Sequence, residues 1–223
     1  MLIITGVVLI SVMVSLAVTA SAMAFSPTPA VVVVLDAGHG GKDGGTSGVN
    51  SGVSEAEINL ILVKKIEGLL KAQNIGVILT RKDENSLYTE SVTKKHRDME
   101  ARKKIILDTC PTLVVSIHCN KFPDSSRRGA QVFYEPLSEK GKTLALSIQN
   151  NLNTINNDYV GRAFTILKGD YYILHCSAYP SAIVECGFLS NSEDDALLNK
   201  PDYQDKLAYR IFCGILGYLS TVE

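Results

Sequence analysis

Five short apolar runs along the chain have the length and composition of buried β-strands. Val31–Leu35 contains no polar side chain, as expected for a strand that is covered on both faces of a sheet. The other four runs are Gly76–Thr80, Thr112–His118, Gly129–Tyr134 and Ser181–Glu185. Segments with helical spacing separate most of these runs, which predicts a largely parallel sheet.

Four longer segments carry apolar residues every three or four positions, which predicts helices. Ser54–Ala72 is the clearest, because the spacing persists throughout and Ser54 can cap the first turn. The others are Lys95–Leu107, Ser138–Leu152 and Tyr203–Leu219. The alternation of strands and helices predicts an α/β fold in three layers, with a mostly parallel central sheet and helices on both faces.

The first 35 residues carry no charged side chain. Residues 1–25 are predicted to be a signal peptide, because Ala22-Met23-Ala24 fits a cleavage site, or a membrane anchor, because about 20 apolar residues can span a bilayer. No basic residue flanks this segment, although a basic flank is usual in both cases. Residues 26–30 are predicted to be a linker and residues 31–223 a single folded domain, so we expect an exported protein.

Composition excludes several classes of protein. The 223 residues carry a net charge of −1, and no basic run with interleaved aromatic residues is present, so we expect no nucleic-acid partner. The five cysteines are odd in number and include no C-x-x-C pair. The chain is therefore predicted to be neither a zinc knuckle nor a disulfide scaffold.

Three of the predicted strands end in residues suited to catalysis or metal binding. Asp36–His39 follows the first strand, His118 ends the third, and Glu185 ends the last. Functional sites of open α/β sheets gather at the carboxyl ends of the strands. We therefore expect these residues to meet at one edge of the sheet.

His39 lies among glycines, which permit unusual backbone angles and a close approach of substrate. The alternatives are a phosphate-binding loop and a tight turn with an incidental histidine. The glycine spacing of phosphate-binding loops is absent, and the next helix begins too late for one.

His118 and Glu55 each have an alternative interpretation when considered alone. His118 shares a strand face with Ser116 while Cys119 points away, but His118 could be a core histidine with a satisfied hydrogen bond. Glu55 and Glu57 are two residues apart, so only one of them can point at the sheet. Either acid could also simply stabilise the helix dipole.

Glu185 ends a buried apolar strand, where an ionised carboxylate is costly unless it is paired, hydrogen-bonded or near a metal. The alternative is a structural salt bridge with Arg102 or Arg81.

Considered together, two histidines and one glutamate suit a catalytic Zn²⁺ that keeps water in its fourth position. A further carboxylate nearby could act as general base on that water.

With these residues the chain resembles the zinc-dependent N-acetylmuramoyl-L-alanine amidases of type 3. Four motifs in the order of the family carry the resemblance: Asp36-Ala37-Gly38-His39-Gly40-Gly41, Glu55-Ala56-Glu57-Ile58-Asn59-Leu60, Ser116-Ile117-His118-Cys119-Asn120 and Val184-Glu185-Cys186-Gly187-Phe188-Leu189-Ser190-Asn191. They span most of residues 31–220. The resemblance implies a phosphorylase/hydrolase-like fold and an amidase catalytic domain over residues 31–223.

Residue roles follow from this resemblance. It implies three zinc ligands, namely His39, Glu55 and His118. It implies that Glu185 is the catalytic glutamate and that Arg81 and Arg102 are structural or orient the substrate. We expect Arg102 and Asn120 to contact the substrate.

The chain departs from the family pattern at three positions. Ala37 stands where proline is common, and Cys119 and Cys186 stand where the family usually has a small residue. A cysteine beside the metal could bind zinc. Strand alternation, however, predicts that both thiols point away from the site.

One subgroup of the family fits this chain best. No wall-binding repeat is visible, and no long insertion separates Asn120 from Glu185. The chain therefore resembles the CwlD-like amidases of sporulation and germination, which prepare spore-cortex peptidoglycan for muramic-δ-lactam formation. This implies a location in the cell wall or the spore intermembrane space. The sequence does not identify an activating protein.

The implied reaction is hydrolysis of the amide between the lactyl group of N-acetylmuramic acid and L-alanine in peptidoglycan. We expect Gly38–Gly52 and the loop Phe122–Arg128 to form the two walls of a groove. A zinc carboxypeptidase would use an arginine such as Arg102 to hold a terminal carboxylate. A non-catalytic wall-binding module is a third function, but it would have no need of Glu185.

Overall fold

The computed structural model describes residues 31–87 and 94–222. The predicted signal peptide or anchor at residues 1–25 and the predicted linker at residues 26–30 lie outside these ranges. Within them, no helix has both the length and the apolar character needed to cross a membrane.

A six-stranded sheet forms the middle of the domain. Its strands are β1 (Val32–Ala37), β2 (Gly76–Leu79), β3 (Leu113–Asn120), β4 (Gln131–Tyr134), β5 (Leu167–Lys168) and β6 (Ser181–Phe188). The strand order is β2-β1-β3-β6-β4-β5. Neighbouring strands are parallel except β4 and β6, which are antiparallel. The prediction of a mostly parallel sheet is confirmed.

Helices cover both faces of this sheet, as predicted. They are α1 (Glu55–Ala72), α2 (Lys94–Thr109), α3 (Glu139–Val160), α4 (Tyr172–His175), α5 (Ser192–Leu198) and α6 (Pro201–Leu219). The larger hydrophobic core lies between the sheet and helices α1, α3 and α6. A smaller core lies on the opposite face, against α2 and α4.

Helix α3 extends eight residues beyond the predicted end at Leu152. The added turns contain several asparagines, which favour turns over helix interiors when they act alone. Here tertiary contacts outweigh that preference, because Asn156 Nδ2 donates to the carbonyl of Ala130 and Asn153 Nδ2 donates to that of Phe164. The helix ends at Gly161, whose φ of 78° gives a left-handed cap.

Strand register places the functional residues side by side. Asp36 of β1 is paired with Ser116 of β3, and His118 of β3 is paired with Glu185 of β6. Neighbouring strands lie about 4.8 Å apart, so the carboxyl ends of these three strands form one continuous edge. Strand β6 continues beyond the predicted end at Glu185 to Phe188.

Candidate metal centre

Three side chains converge at the carboxyl edge of the sheet. His39 follows β1, Glu55 opens α1, and His118 lies near the end of β3. One ligand atom from each residue lies within 4.8 Å of the other two. His39 Nε2 is 3.1 Å and His118 Nδ1 is 2.8 Å from the same Oε1 atom of Glu55. The structure thus brings together the three residues for which the resemblance implied metal binding.

Two of the surrounding glycines make this convergence possible. A Cβ on Gly38 would lie 2.2 Å from Cε1 of His118. A Cβ on Gly45, whose φ is 68°, would lie 2.5 Å from Glu55 Oε2 and 2.8 Å from His39 Cδ2. Any larger side chain at either position would displace a ligand-bearing residue, which explains the glycine-rich sequence around His39.

The Glu55 carboxylate is buried at the first turn of α1, and Glu57 faces solvent, so Glu55 is the acid that points at the sheet. Oε2 accepts a hydrogen bond from the Thr46 N–H at 3.1 Å, and Oε1 accepts one from the Cys119 N–H at 3.2 Å. Burial alone would raise the pKa of Glu55, but the two histidines lower it well below its usual range. Glu55 is therefore ionised, and its hydrogen bonds hold the carboxylate where it can bind a cation.

His39 has an oriented ring. Its Nδ1 lies 3.0 Å from Asp43 Oδ2, while its Nε2 faces Glu55. Burial alone would lower the pKa of His39, but Glu55 and Asp43 raise it to about 9. A carboxylate behind a histidine is the usual support of a metal ligand, because it fixes the ring and increases its basicity. Asp43 had no assigned role in the sequence analysis.

The donor set fits a zinc ion. Zinc bonds to imidazole nitrogen and carboxylate oxygen are about 2.0–2.2 Å long, so neighbouring ligand atoms of a tetrahedral site lie roughly 3.3 Å apart. The observed separations of 3.1 and 2.8 Å between the histidine nitrogens and Glu55 Oε1 need only a small expansion to reach that value. Three protein ligands would leave a fourth position for water or substrate.

Two buried arginines hold the backbone that carries His39. His39 has a φ of 63°, which is uncommon for a residue other than glycine. Arg102 donates from Nη2 to the carbonyl of His39 at 2.7 Å and from Nη1 to that of Ala37 at 2.9 Å. Arg81 donates to the carbonyls of Ala37 and Gly38. The surrounding structure therefore imposes the left-handed conformation of His39.

Arg102 is only 2% exposed, and acids neutralise its charge. It forms salt bridges with Asp36 and, at 2.7 Å, with Asp98. Burial alone would raise the pKa of Asp36, but Arg102 and the hydroxyls of Ser116 and Thr80 lower it to about 2. Of the two roles that the resemblance implied for Arg102, these contacts support the structural one. Arg102 also lines the cavity over the site, so the expectation that it contacts the substrate stays a prediction.

Removal of Arg102 should destabilise the fold strongly. Arg102→Met is expected to lower the free energy of unfolding by about 3–5 kcal/mol, because it leaves the Asp36 carboxylate buried without its partner. The control is Lys104→Met, which breaks the exposed ion pair with Asp108 on the same helix and should cost under about 0.5 kcal/mol. Urea denaturation measures both. Equal losses of unfolding free energy in the two variants would show that the buried ion pair contributes no more to stability than the exposed pair.

Glu185 lies on β6 beside the three converging side chains. Its Oε2 is buried and has no hydrogen-bond partner within residues 31–87 and 94–222. The salt bridge with Arg102 or Arg81 that the sequence left open is absent from the described ion pairs, since Arg102 pairs with Asp36 and Asp98. Burial raises the pKa of Glu185 to about 7. A carboxyl with this pKa can accept and return a proton near neutral pH.

A cavity of about 930 Å³ opens over these residues. Gly38 to Asp43 and Thr46, which are part of the predicted wall Gly38–Gly52, line this cavity, and so does Asn120. Tyr171, Tyr172 and Ile173 line it as well, whereas the loop Phe122–Arg128 is not among the described lining residues. The prediction that this loop forms the second wall is wrong.

The loop Phe122–Arg128 is instead held against the turn that follows β6. Asn191 Nδ2 donates to the carbonyl of Ser125 at 2.7 Å, and the Phe122 N–H donates to Ser190 Oγ at 3.0 Å. These bonds explain why the loop does not form the cavity wall.

The two cysteines near the site belong to the core. Cys119 and Cys186 are buried among apolar residues on the face of the sheet that packs against α1, α3 and α6. Burial raises the pKa of both thiols. In the part of the chain that the structure describes, no sulfur joins the group formed by His39, Glu55 and His118. Both thiols therefore point away from the site, as strand alternation predicted.

Comparison with known proteins agrees with this geometry. The model of the N-acetylmuramoyl-L-alanine amidase family of type 3 matches residues 33–217, nearly the whole described domain. The chain belongs to this amidase family. The predicted enzyme class is confirmed.

Relatives of this amidase include a germination-specific amidase and two amidases of solved structure. The germination-specific N-acetylmuramoyl-L-alanine amidase of Bacillus subtilis is 34% identical over 198 residues, which are 87% of this chain and 82% of the relative. The CwlD amidase of Clostridioides difficile, solved in complex with the GerS lipoprotein, is 37% identical, with a TM-score of 0.81 over 86% of this chain and 99% of that one. The catalytic domain of CwlV from Bacillus (Paenibacillus) polymyxa is 29% identical, with a TM-score of 0.73 over 85% of this chain and 98% of that one.

Proposed function

We propose that this amidase uses one Zn²⁺, held by His39, Glu55 and His118, to hydrolyse the muramoyl-L-alanine amide of peptidoglycan. The observation that carries the proposal is the convergence of three ligand atoms within 4.8 Å, beside the unpartnered Oε2 of Glu185. A metal at this position would replace the proton that His39 carries when its pKa is about 9. When bound, zinc would polarise the amide carbonyl and make water a stronger acid.

Glu185 is the general base in this proposal. Its Oε2 would accept a proton from the attacking water and then return that proton to the departing nitrogen of L-alanine. The location of Glu185 supports this role, because strand pairing with His118 places the carboxylate next to the ligand group without including it. The burial that raises its pKa to about 7 supports the same role, because the carboxyl can then accept and return a proton near neutral pH.

Asn120 is the proposed substrate contact at the centre of the cavity. It ends β3, is partly exposed, and lines the same cavity as Glu185. Its Oδ1 accepts a hydrogen bond from the Lys121 N–H at 2.7 Å, which fixes the side-chain amide. A fixed amide suits hydrogen bonding to an acetamido or peptide group of the substrate. Asn120→Ala should therefore raise KM, and an unchanged KM would remove Asn120 from the proposal.

The rival carboxypeptidase function is disfavoured by the same geometry. The arginine that such an enzyme would use here to hold a terminal carboxylate, Arg102, is buried, and two acids already neutralise its charge. A wall-binding module without activity would have no reason to leave a buried carboxylate unpartnered beside three ligand atoms, since this arrangement costs stability.

Digestion of purified peptidoglycan tests the reaction. The zinc-loaded protein should release stem peptides with a free L-alanine amine and leave the glycan strands intact, as read by mass spectrometry of the soluble products. New reducing sugar ends would indicate a glycosidase, and released D-alanine would indicate a carboxypeptidase. Either product in place of the stem peptides would contradict the proposed reaction.

We further propose that the protein is exported and acts on spore-cortex peptidoglycan. The apolar residues 1–25 support export, and the similarity to the germination-specific amidase of Bacillus subtilis supports the cortex role. The complex of the similar CwlD amidase with a lipoprotein supports a search for a protein partner. Spores that lack this protein should contain less muramic-δ-lactam in their cortex, and an unchanged content would contradict the role.

A further inference from the structure

Tyr171 occupies an unusual position beside Glu185. The residue is 43% exposed, although it lines the same cavity as the buried Oε2 of Glu185. It lies between β5 and α4, in a segment without the helical or strand periodicity that marks the other elements. An exposed aromatic ring beside a catalytic group is well placed to contact a substrate.

Two neighbours contact this ring, and a third contact fixes the residue that follows it. A Cβ on Gly169 would lie 2.5 Å from Cε2 of Tyr171, so only glycine leaves room for the ring at its present position. Phe133 contacts the ring edge-on, with centroids 5.6 Å apart and an interplanar angle of 87°. The next residue, Tyr172, donates a hydrogen bond to Glu100 of α2, which fixes the start of α4. Tyr171 is therefore ordered before any substrate arrives.

The two sides of the cavity differ in chemistry. The strand order β1-β3-β6-β4 places the loop after β1, with Lys42, and the residue after β3, Lys121, on one side of Glu185. Tyr171 packs against Phe133 of β4, on the other side. Both lysines are exposed and line the cavity, whereas the lining near Tyr171 includes the apolar Ile173 and also Ile183, the strand partner of Phe133.

The substrate has the same asymmetry. The stem peptide carries carboxylates, and the sugar on the other side of the scissile amide is uncharged and presents apolar C–H groups. The acids that line the cavity on the lysine side already have basic partners, namely Arg102 or His39. Carboxylates are therefore favoured near Lys42 and Lys121 and disfavoured near Glu185. A flat aromatic ring provides rigid apolar area for a sugar.

We propose that Tyr171 forms the subsite for the N-acetylmuramoyl sugar and that Gly169 exists to make room for its ring. This inference rests on the proposed amidase reaction and adds the direction in which the substrate lies. The peptide extends over the ends of β3 and β1, and the sugar extends over β6 towards β4. Tyr171 determines substrate affinity in this account, while Glu185 performs the chemistry.

Inhibition by the two halves of the substrate tests this assignment. Hydrolysis of a soluble N-acetylmuramoyl peptide would be measured in the presence of N-acetylmuramic acid or of the free stem peptide. In Tyr171→Ala, we expect KM and the inhibition constant of N-acetylmuramic acid to rise about tenfold or more, the usual result of truncating an aromatic anchor. The inhibition constant of the peptide and kcat should change less than about twofold.

Two further variants make the test specific. Tyr171→Phe keeps the ring and should keep both inhibition constants within about twofold of those of the unsubstituted protein. Tyr209→Ala removes a tyrosine that is 50% exposed on α6, outside the cavity lining, and should change neither constant. Circular dichroism and zinc content report whether each variant is folded and loaded.

Several results would overturn the sugar subsite. One is failure of N-acetylmuramic acid to inhibit the unsubstituted protein. Another is an equal rise of both inhibition constants in Tyr171→Ala, and a third is a rise for the peptide alone. Failure of the amidase reaction is distinguishable from all three, because the unsubstituted protein would then not cleave the muramoyl peptide at all.

Discussion

Replacing Glu185 by glutamine is expected to lower kcat about 10²- to 10⁴-fold, the range for removal of a general base. Glutamine has the same shape but cannot accept a proton at the position of Oε2. That atom is buried and has no hydrogen-bond partner among the described residues, so the substitution breaks no described bond there. Zinc content and the circular dichroism spectrum should therefore match those of the unsubstituted protein.

The matched control for this variant is Glu57→Gln. Glu57 lies two residues from Glu55 on α1 and faces solvent, so its loss should leave kcat within about twofold. Steady-state kinetics on a muramoyl peptide measures both variants. If Glu185→Gln retained full turnover, Glu185 would not be the base, whatever the metal content.

Loss of the metal is expected to abolish activity. His118→Ala removes the nitrogen that lies 2.8 Å from Glu55 Oε1, and we expect zinc affinity to fall more than about 100-fold, since even supporting residues of zinc sites cost 10–100-fold. Chelation of the unsubstituted protein should likewise remove turnover, and added Zn²⁺ should restore it. Metal analysis and kinetics on the same preparations measure the two effects together.

His96→Ala serves as the control for His118→Ala. His96 is exposed on α2 and lies outside the group of candidate ligands, so this variant should keep its zinc and its activity. Full activity in a preparation free of metal would contradict the role assigned to zinc. It would also remove the reason for the convergence of His39, Glu55 and His118.

Much of the site could be predicted from the sequence, because its functional residues stand at the ends of apolar runs. His39, His118 and Glu185 each end or follow an apolar run, so periodicity placed these three near one edge, whereas the choice of Glu55 came from the family resemblance. The pairing of His118 with Glu185 required the strand order, which periodicity does not give. Identification of the residue roles depended on the family resemblance.

The remaining features depend on tertiary contacts that leave no local pattern. Short elements such as α4 and α5 were not predicted, because four and seven residues are too few to show a period. Tyr171 and Asp43 were missed for a related reason. Tyr171 owes its position to Phe133, which is distant in sequence, and Asp43 owes its role to His39 in the same loop. Phe122–Arg128 was misplaced because its bonds to Ser190 and Asn191 are not readable from sequence.

The role of Arg102 could not be decided from the sequence. Arg102 matched a family position and could have contacted a substrate. Its position at 2% exposure, between Asp36 and Asp98, makes it a support for the backbone of His39. An arginine in a helix that also contains Arg97 and several lysines gives no signal of such burial, because most arginines remain at the surface.

Zinc stoichiometry in two glutamate variants tests the central claim most directly. The account predicts about one Zn²⁺ per chain in the unsubstituted protein and in Glu185→Gln, and nearly none in Glu55→Gln after dialysis. Both variants replace a carboxylate by an amide of equal size at the same edge of the sheet, so a difference between them reports the role of each oxygen. Zinc retained by Glu55→Gln and lost by Glu185→Gln would contradict the assignment of ligand and base.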